Sequence, residues 1–131
     1  MIDIIKKIRR LGVPTGSSVF GVSTSSKSDR DYIISPDVWN EHFADLVGCG
    51  INYNDGYSDD HLFCNYYIDY KGVIYDLIVP NEKTEFIVWV KTTEAFLNLP
   101  VDLIKDKNDR ISLFEKMKDI YRRLGKEHAE N

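Results

Sequence analysis

Residues 15–35, TGSSVFGVSTSSKSDRDYIIS, constrain the fold more than any other stretch. A helical pattern precedes them and another follows, so the chain must change from helix to turn to strand inside this one segment. Gly16-Ser17 is a turn dipeptide, residues 23–27 form a polar loop, and Asp29-Arg30-Asp31 runs straight into Tyr32-Ile33-Ile34. We read residues 13–16 as a short extended segment, 17–22 as a short helical turn and 29–35 as a strand. Side chains two apart on a strand share a face, so Asp29 and Asp31 point together and Arg30 points away. Two carboxylates on one face repel each other unless a cation lies between them, and a hard, oxygen-seeking ion such as magnesium suits that position. Taken alone, such a triplet is more simply a pair of solvated acids at a strand mouth. Gly-Ser before a helical turn leaves backbone N–H groups free for phosphate oxygens, although the dipeptide is also an ordinary turn.

The remaining chain alternates between the two periodicities. Ile4, Ile5, Ile8 and Leu11 share one face of a helix over residues 2–11, which Gly12 and Pro14 end. Lys6, Lys7, Arg9 and Arg10 lie off that face, as a solvated helix surface does, although a polyanion could also meet them. Ser35 caps and Pro36 opens a helix over 36–47, with Val38, Trp39, Phe43, Leu46 and Val47 inward. Residues 51–61 read as a loop, and Asp59, Asp60 and His61 as its exposed tip rather than a ligand set. Two strands, 62–70 and 73–79, flank Lys71-Gly72 as a hairpin. Asp76 shares a face of the second strand with Ile74 and Ile78, where an acid is costly to bury without a partner. Asp69, near the hairpin end, is easily solvated. Phe86, Trp89, Val90, Thr93, Phe96 and Leu97 carry a helix over 82–99, with Asn81 as cap. A strand over 86–90 is the alternative, and helix is preferred because the pattern persists past Thr93. After a charged connection, 101–108, a last helix spans 109–124. Its inward set is Leu113, Phe114, Met117, Ile120, Tyr121 and Leu124; Ser112 and Glu115 have capping-box spacing, and Gly125 ends it before a frayed tail.

These elements make one α+β domain over residues 1–131, a small mixed β-sheet flanked by helices. With 43% hydrophobic residues a packed core is within reach. The net charge of −4 argues against gripping nucleic acid by bulk electrostatics. Local clusters such as Lys6, Lys7, Arg9 and Arg10, or Arg122, Arg123 and Lys126, leave a local contact open. Cys49 and Cys64 have neither metal-ligand spacing nor a disulfide framework. With no signal peptide and no apolar run of membrane-spanning length, we expect free thiols, a cytoplasmic location and no membrane partner. Serine hydrolysis is disfavoured: Gly16-Ser17-Ser18 lacks the Gly-x-Ser-x-Gly elbow, and His42, His61 and His128 have no evident triad partners.

A Gly-Ser turn, a short spacer, a same-face acid pair opening a strand and a third acid inside a later strand form an ordered set. In Gly16-Ser17, Gly21, Ser28-Asp29-Arg30-Asp31 and Asp76 the chain resembles the nucleotidyltransferase superfamily with the DNA polymerase β-like fold, in particular its small single-domain members. The family position between the paired acids is usually apolar, and Arg30 departs from it. The resemblance implies that Asp29 and Asp31 hold two Mg²⁺ ions (Mn²⁺ as an alternative) and that Asp76 ligates the second ion or acts as the base. It also implies that Gly16 and Ser17 grip the β- and γ-phosphates of a nucleoside triphosphate. A nucleotidyl group would pass to an acceptor hydroxyl on RNA, protein or a small molecule, with release of pyrophosphate. A homodimer or a partner chain would complete the site in so short a chain. The alternatives are an inactive member kept as a nucleotide- or partner-binding module, and an unrelated binding domain with surface acids.

Overall fold

A computed structural model describes residues 2–16, 29–54 and 62–130, the side chains of 102 and 127–130 excepted. Five strands form one mixed sheet, and four α-helices accompany it among the described residues. Helix α1 (Ile2–Leu11) turns Ile5 and Ile8 inward, as expected, and Gly12 ends it by donating its N–H to the Ile8 carbonyl at 2.8 Å. Strand β1 (Val13–Thr15) pairs antiparallel with β2 (Arg30–Ile33). Helix α2 (Pro36–His42) begins where the sequence says it should: the Ser35 hydroxyl accepts from the Val38 N–H at 3.3 Å. It closes at His42 rather than at Val47. Phe43 breaks the helical backbone, a 3₁₀ turn covers Ala44–Leu46, and Val47 is exposed rather than inward.

The expected loop after α2 contains a strand, β3 (Asn52–Asn54), at one edge of the sheet as formed by the described residues. Its Asn-Tyr-Asn sequence has no apolar alternation, so strand pairing and not residue preference makes it a strand. Strands β4 (Phe63–Tyr70) and β5 (Val73–Pro80) form the expected hairpin. Lys71 and Gly72 both take left-handed backbone angles, φ 54 and 82, the geometry that matches the twist of a two-residue hairpin. The strand order is β1-β2-β5-β4-β3, and β2–β5 is the parallel pair.

One sheet face carries Tyr66, Ile68, Tyr75, Leu77 and Val79 into a core closed by Ile5 and Ile8 of α1 and Trp39 and Phe43 of α2. Trp39 stacks on Tyr66 with ring centroids 4.2 Å apart. The opposite face carries α3 (Lys83–Leu97), and α4 (Lys107–Glu130) packs on α3. Helix α3 crosses this face: Trp89 meets Phe63 of β4, and the Thr93 hydroxyl lies 2.9 Å from that of Thr15 on β1. The helix reading of residues 86–90 therefore holds, with Leu97 exposed instead of inward. Asn81 does not cap α3. Its N–H donates to the Leu62 carbonyl at 2.9 Å, which keeps it on the sheet, and Glu82 occupies the cap position without a side-chain capping bond.

Helix α4 starts two residues early and runs through Gly125. Asp106, not the Ser112–Glu115 box, caps it: its Oδ1 accepts from the N–H groups of Asn108 at 2.7 Å and Asp109 at 3.2 Å. An exposed helical glycine costs only about 1 kcal/mol, too little to end a helix packed on its neighbour. Ile120 and Leu124, expected inward, are exposed. Lys118 is buried instead, its ammonium 3.7 Å from the Trp89 ring centroid and 3.0 Å from Glu115 Oε1.

The α3–α4 pair is pinned by an ion pair that sequence periodicity cannot show. Glu85 is buried, and Arg122 donates from Nε to its Oε2 at 3.0 Å and from Nη2 to its Oε1. Arg122→Met is expected to cost about 2–3 kcal/mol in urea unfolding, because it strands a buried carboxylate. Adding Glu85→Gln should recover a large part of that loss.

Candidate functional site

The parallel register between β2 and β5 sets Asp31 directly opposite Asp76. Directly opposed residues on neighbouring strands project to the same face, so two carboxyl groups meet side by side. Asp29 lies just before β2 rather than inside it, and is exposed, yet it is close enough to act on the charge of both Asp31 and Asp76. Three acids thus converge at the mouth of the only parallel strand pair among the described residues. Gly16 follows β1 and presses on this cluster: an added Cβ would lie 2.0 Å from Asp31 Oδ2. Its backbone is left-handed, φ 84, which glycine adopts without strain.

The electrostatics follow from this crowding. Burial raises Asp31 to about 6; the hydrogen bond with Asp76 lowers it, the Asp29 charge raises it and Lys107 of α4 lowers it. Burial also raises Asp76, to about 8, helped by its hydrogen bonds to Asp29 and Asp31 and by their charges. Without a cation, therefore, the Asp31–Asp76 pair keeps a proton well above the ordinary carboxylate range. Hydrogen bonding to the neutral form and nearby like charge both favour that state.

A hard divalent cation suits this donor set, which is all carboxylate oxygen at high negative charge density. Among the described residues no group of three His, Cys, Asp or Glu side chains is arranged as a ready cage. Magnesium does not need one, because it commonly takes one or two carboxylates and completes its shell with water and substrate phosphates.

Of the residues named from sequence, Gly16, Asp29, Asp31 and Asp76 come together here. Ser17, the helical turn over 17–22, and Asp59, Asp60 and His61 lie outside the described residues. Asp69 stands apart at the hairpin end, accepting from the Gly72 N–H at 3.2 Å. Cys49 and Cys64 are free thiols, and no helix among the described residues is long and apolar enough to cross a membrane.

Three neighbours escaped the sequence reading. Thr15 faces Asp31 across β1–β2, and Tyr67 faces Asp76 across the hairpin. Tyr67 was recoverable, since it and Asp76 are equidistant from the two-residue turn that fixes the register. Lys107, whose charge reaches Asp31 from the first turn of α4, has no local signal at all. No family model, no curated protein and no solved structure matches the chain.

Proposed function

We propose that this chain is a metal-dependent nucleotidyltransferase with a polymerase β-like fold, transferring a nucleoside monophosphate from a nucleoside triphosphate to an acceptor hydroxyl. The observation that carries the reading is the parallel Asp31–Asp76 pair, with Asp29 joined to it and Gly16 against Asp31. These are four of the five residues that the sequence resemblance names; Ser17, the fifth, lies outside the described residues. Asp29, Asp31 and Asp76 would hold Mg²⁺, which when bound neutralises the triphosphate and lowers the pKa of the attacking hydroxyl.

The reaction forms a bond from the acceptor oxygen to the α-phosphorus. It breaks the bond from that phosphorus to the oxygen bridging to the β-phosphate, and pyrophosphate leaves. Asp76, opposite Asp31, either completes the ligand set or, as the ionised carboxylate, takes the hydroxyl proton in this reading. The Gly16 backbone supports the phosphates at the buried end. Two free thiols fit a cytoplasmic protein.

Calorimetric titration of ATP, GTP, CTP and UTP, with and without Mg²⁺, tests the reading. One triphosphate is expected to bind only with the metal, and Asp31→Asn should weaken it at least about tenfold, the loss of one charge-assisted contact. Metal-dependent binding that Asp31→Asn leaves intact, or no binding of any of the four, would remove the reading. Binding without transfer to any acceptor would favour the inactive module.

A further inference from the structure

The registers that join Asp31 to Asp76 continue across the whole sheet. Thr15 opposes Asp31, Asp31 opposes Asp76, Asp76 opposes Tyr67, and Tyr67 opposes Asn52. One polar row therefore runs across all five strands on a single face. It is closed at one end and open at the other. Thr15 is buried beneath Thr93 of α3; Asp31, Asp76 and Tyr67 are half-buried; Asn52 is exposed.

Beside the open half lies a second polar step, where Asn65 opposes Asn54. Asparagine is among the residues least suited to strands, yet three occupy this face of two neighbouring strands. Asn65 is 5% exposed and its side-chain oxygen has no hydrogen-bond partner among the described residues. A buried acceptor without a donor is costly, and here it adjoins a row of groups that can both give and take hydrogen bonds. The face formed by β3, β4 and β5 presents Asn52, Asn54, Asn65, Tyr67, Asp69 and Asp76 together with the apolar Phe63, Ile74, Ile78 and Pro80, with no lysine or arginine at any of its positions.

We infer that Tyr67, Asn52 and the flanking Asn54 and Asn65 bind the acceptor, and that the acceptor is a small uncharged polyhydroxylated molecule, a sugar or cyclitol. The assignment of this site to the acceptor rests on the nucleotidyltransferase reading. Neutral amide and phenol groups match hydroxyls in donor and acceptor capacity. A nucleic-acid strand needs cations along its backbone, and the only charged residues at these strand positions are Asp69 and Asp76. A sugar hydroxyl held by Tyr67 would stand next to Asp76, the residue opposite it.

The test does not require turnover. Side-chain amide signals of Asn52, Asn54 and Asn65 are followed by ¹⁵N NMR while methyl glucoside, ribose, myo-inositol or a short single-stranded RNA is added, with and without Mg²⁺ and the triphosphate that binds best. At least one neutral compound should shift these signals. Tyr67→Phe and the exposed-site change Asn52→Ala should each weaken that binding about tenfold, with triphosphate affinity unchanged within about twofold. Amide dispersion in the same spectra establishes that both variants fold. Triphosphate binding with no response to any neutral compound overturns the subsite and leaves the transferase reading standing. Sugar-induced shifts without triphosphate binding do the reverse. Shifts caused by RNA alone, or neutral binding unchanged in both variants, also overturn it.

Discussion

Gly16→Ala is expected to lower nucleotidyl transfer by about 10²–10³-fold, the scale of losing one preorganised electrostatic element. The new methyl would stand 2.0 Å from Oδ2, 2.9 Å from Cγ and 3.1 Å from Cβ of Asp31. Rotating the carboxylate relieves the first contact but not the last, so the side chain must leave its place opposite Asp76. The backbone adds its own penalty, since φ 84 is left-handed and costs a non-glycine residue about 1–2 kcal/mol. The two effects separate cleanly because Gly48 has φ 86 and nothing within 4 Å of an added Cβ. Gly48→Ala should therefore lose similar stability in thermal melts while keeping metal-dependent triphosphate binding. Gly16→Ala should lose both. Equal, intact binding in the two variants would show that the closeness of Gly16 to Asp31 has no bearing on the site.

The contrast between what was legible and what was not follows the range of each interaction. Helix α1, the Ser35 cap and the Lys71-Gly72 hairpin were readable because each is decided within a few residues. The sheet pairing that opposes Asp31 to Asp76 is decided elsewhere, by strands and helices folding around a parallel pair separated by the whole of α2, β3 and β4. Sequence could name both acids but not their register. Errors clustered where a tertiary contact outweighed a local signal. Asn81 is a good cap by type, yet its pairing with Leu62 keeps it on the sheet and the helix begins one residue later, with Glu82 at the cap position. Gly125 is a good stop by type, yet α4 continues through it. Lys118 breaks the apolar pattern and is nevertheless buried, because an aromatic face and Glu115 receive its charge. The polar row shows the same rule from the other side: Asn52 and Asn54 looked like loop residues because the feature that gathers them exists only across strands.

Asp76→Asn is expected to abolish transfer and yet stabilise the metal-free protein at pH 8. Asp31 and Asp76 are raised to about 6 and about 8 in the folded chain, against the ordinary aspartate value of 3.8. Over that window the native state holds protons that the unfolded chain has released, so stability falls as pH rises. The contribution is fully present below the unfolded value of 3.8 and is lost as pH passes about 6 for Asp31 and about 8 for Asp76. Asparagine cannot ionise, but its amide can still donate to Asp31. The variant should therefore gain about 1–2 kcal/mol at pH 8, a figure reduced from the full shift because both acids are only half-buried and water screens them. A gain of that size raises the melting temperature by roughly 5 °C, and the difference between pH 5 and pH 8 should shrink. Magnesium acts on the same charge: it should raise the wild-type melting temperature more at pH 8, where the acids are ionised, than at pH 5, where protons already occupy the pair. In Asp76→Asn that pH-dependent gain should be largely lost. A variant less stable than wild type at pH 8, or a magnesium effect equal at both pH values, would show that the pair is not held together by a shared proton that a cation replaces.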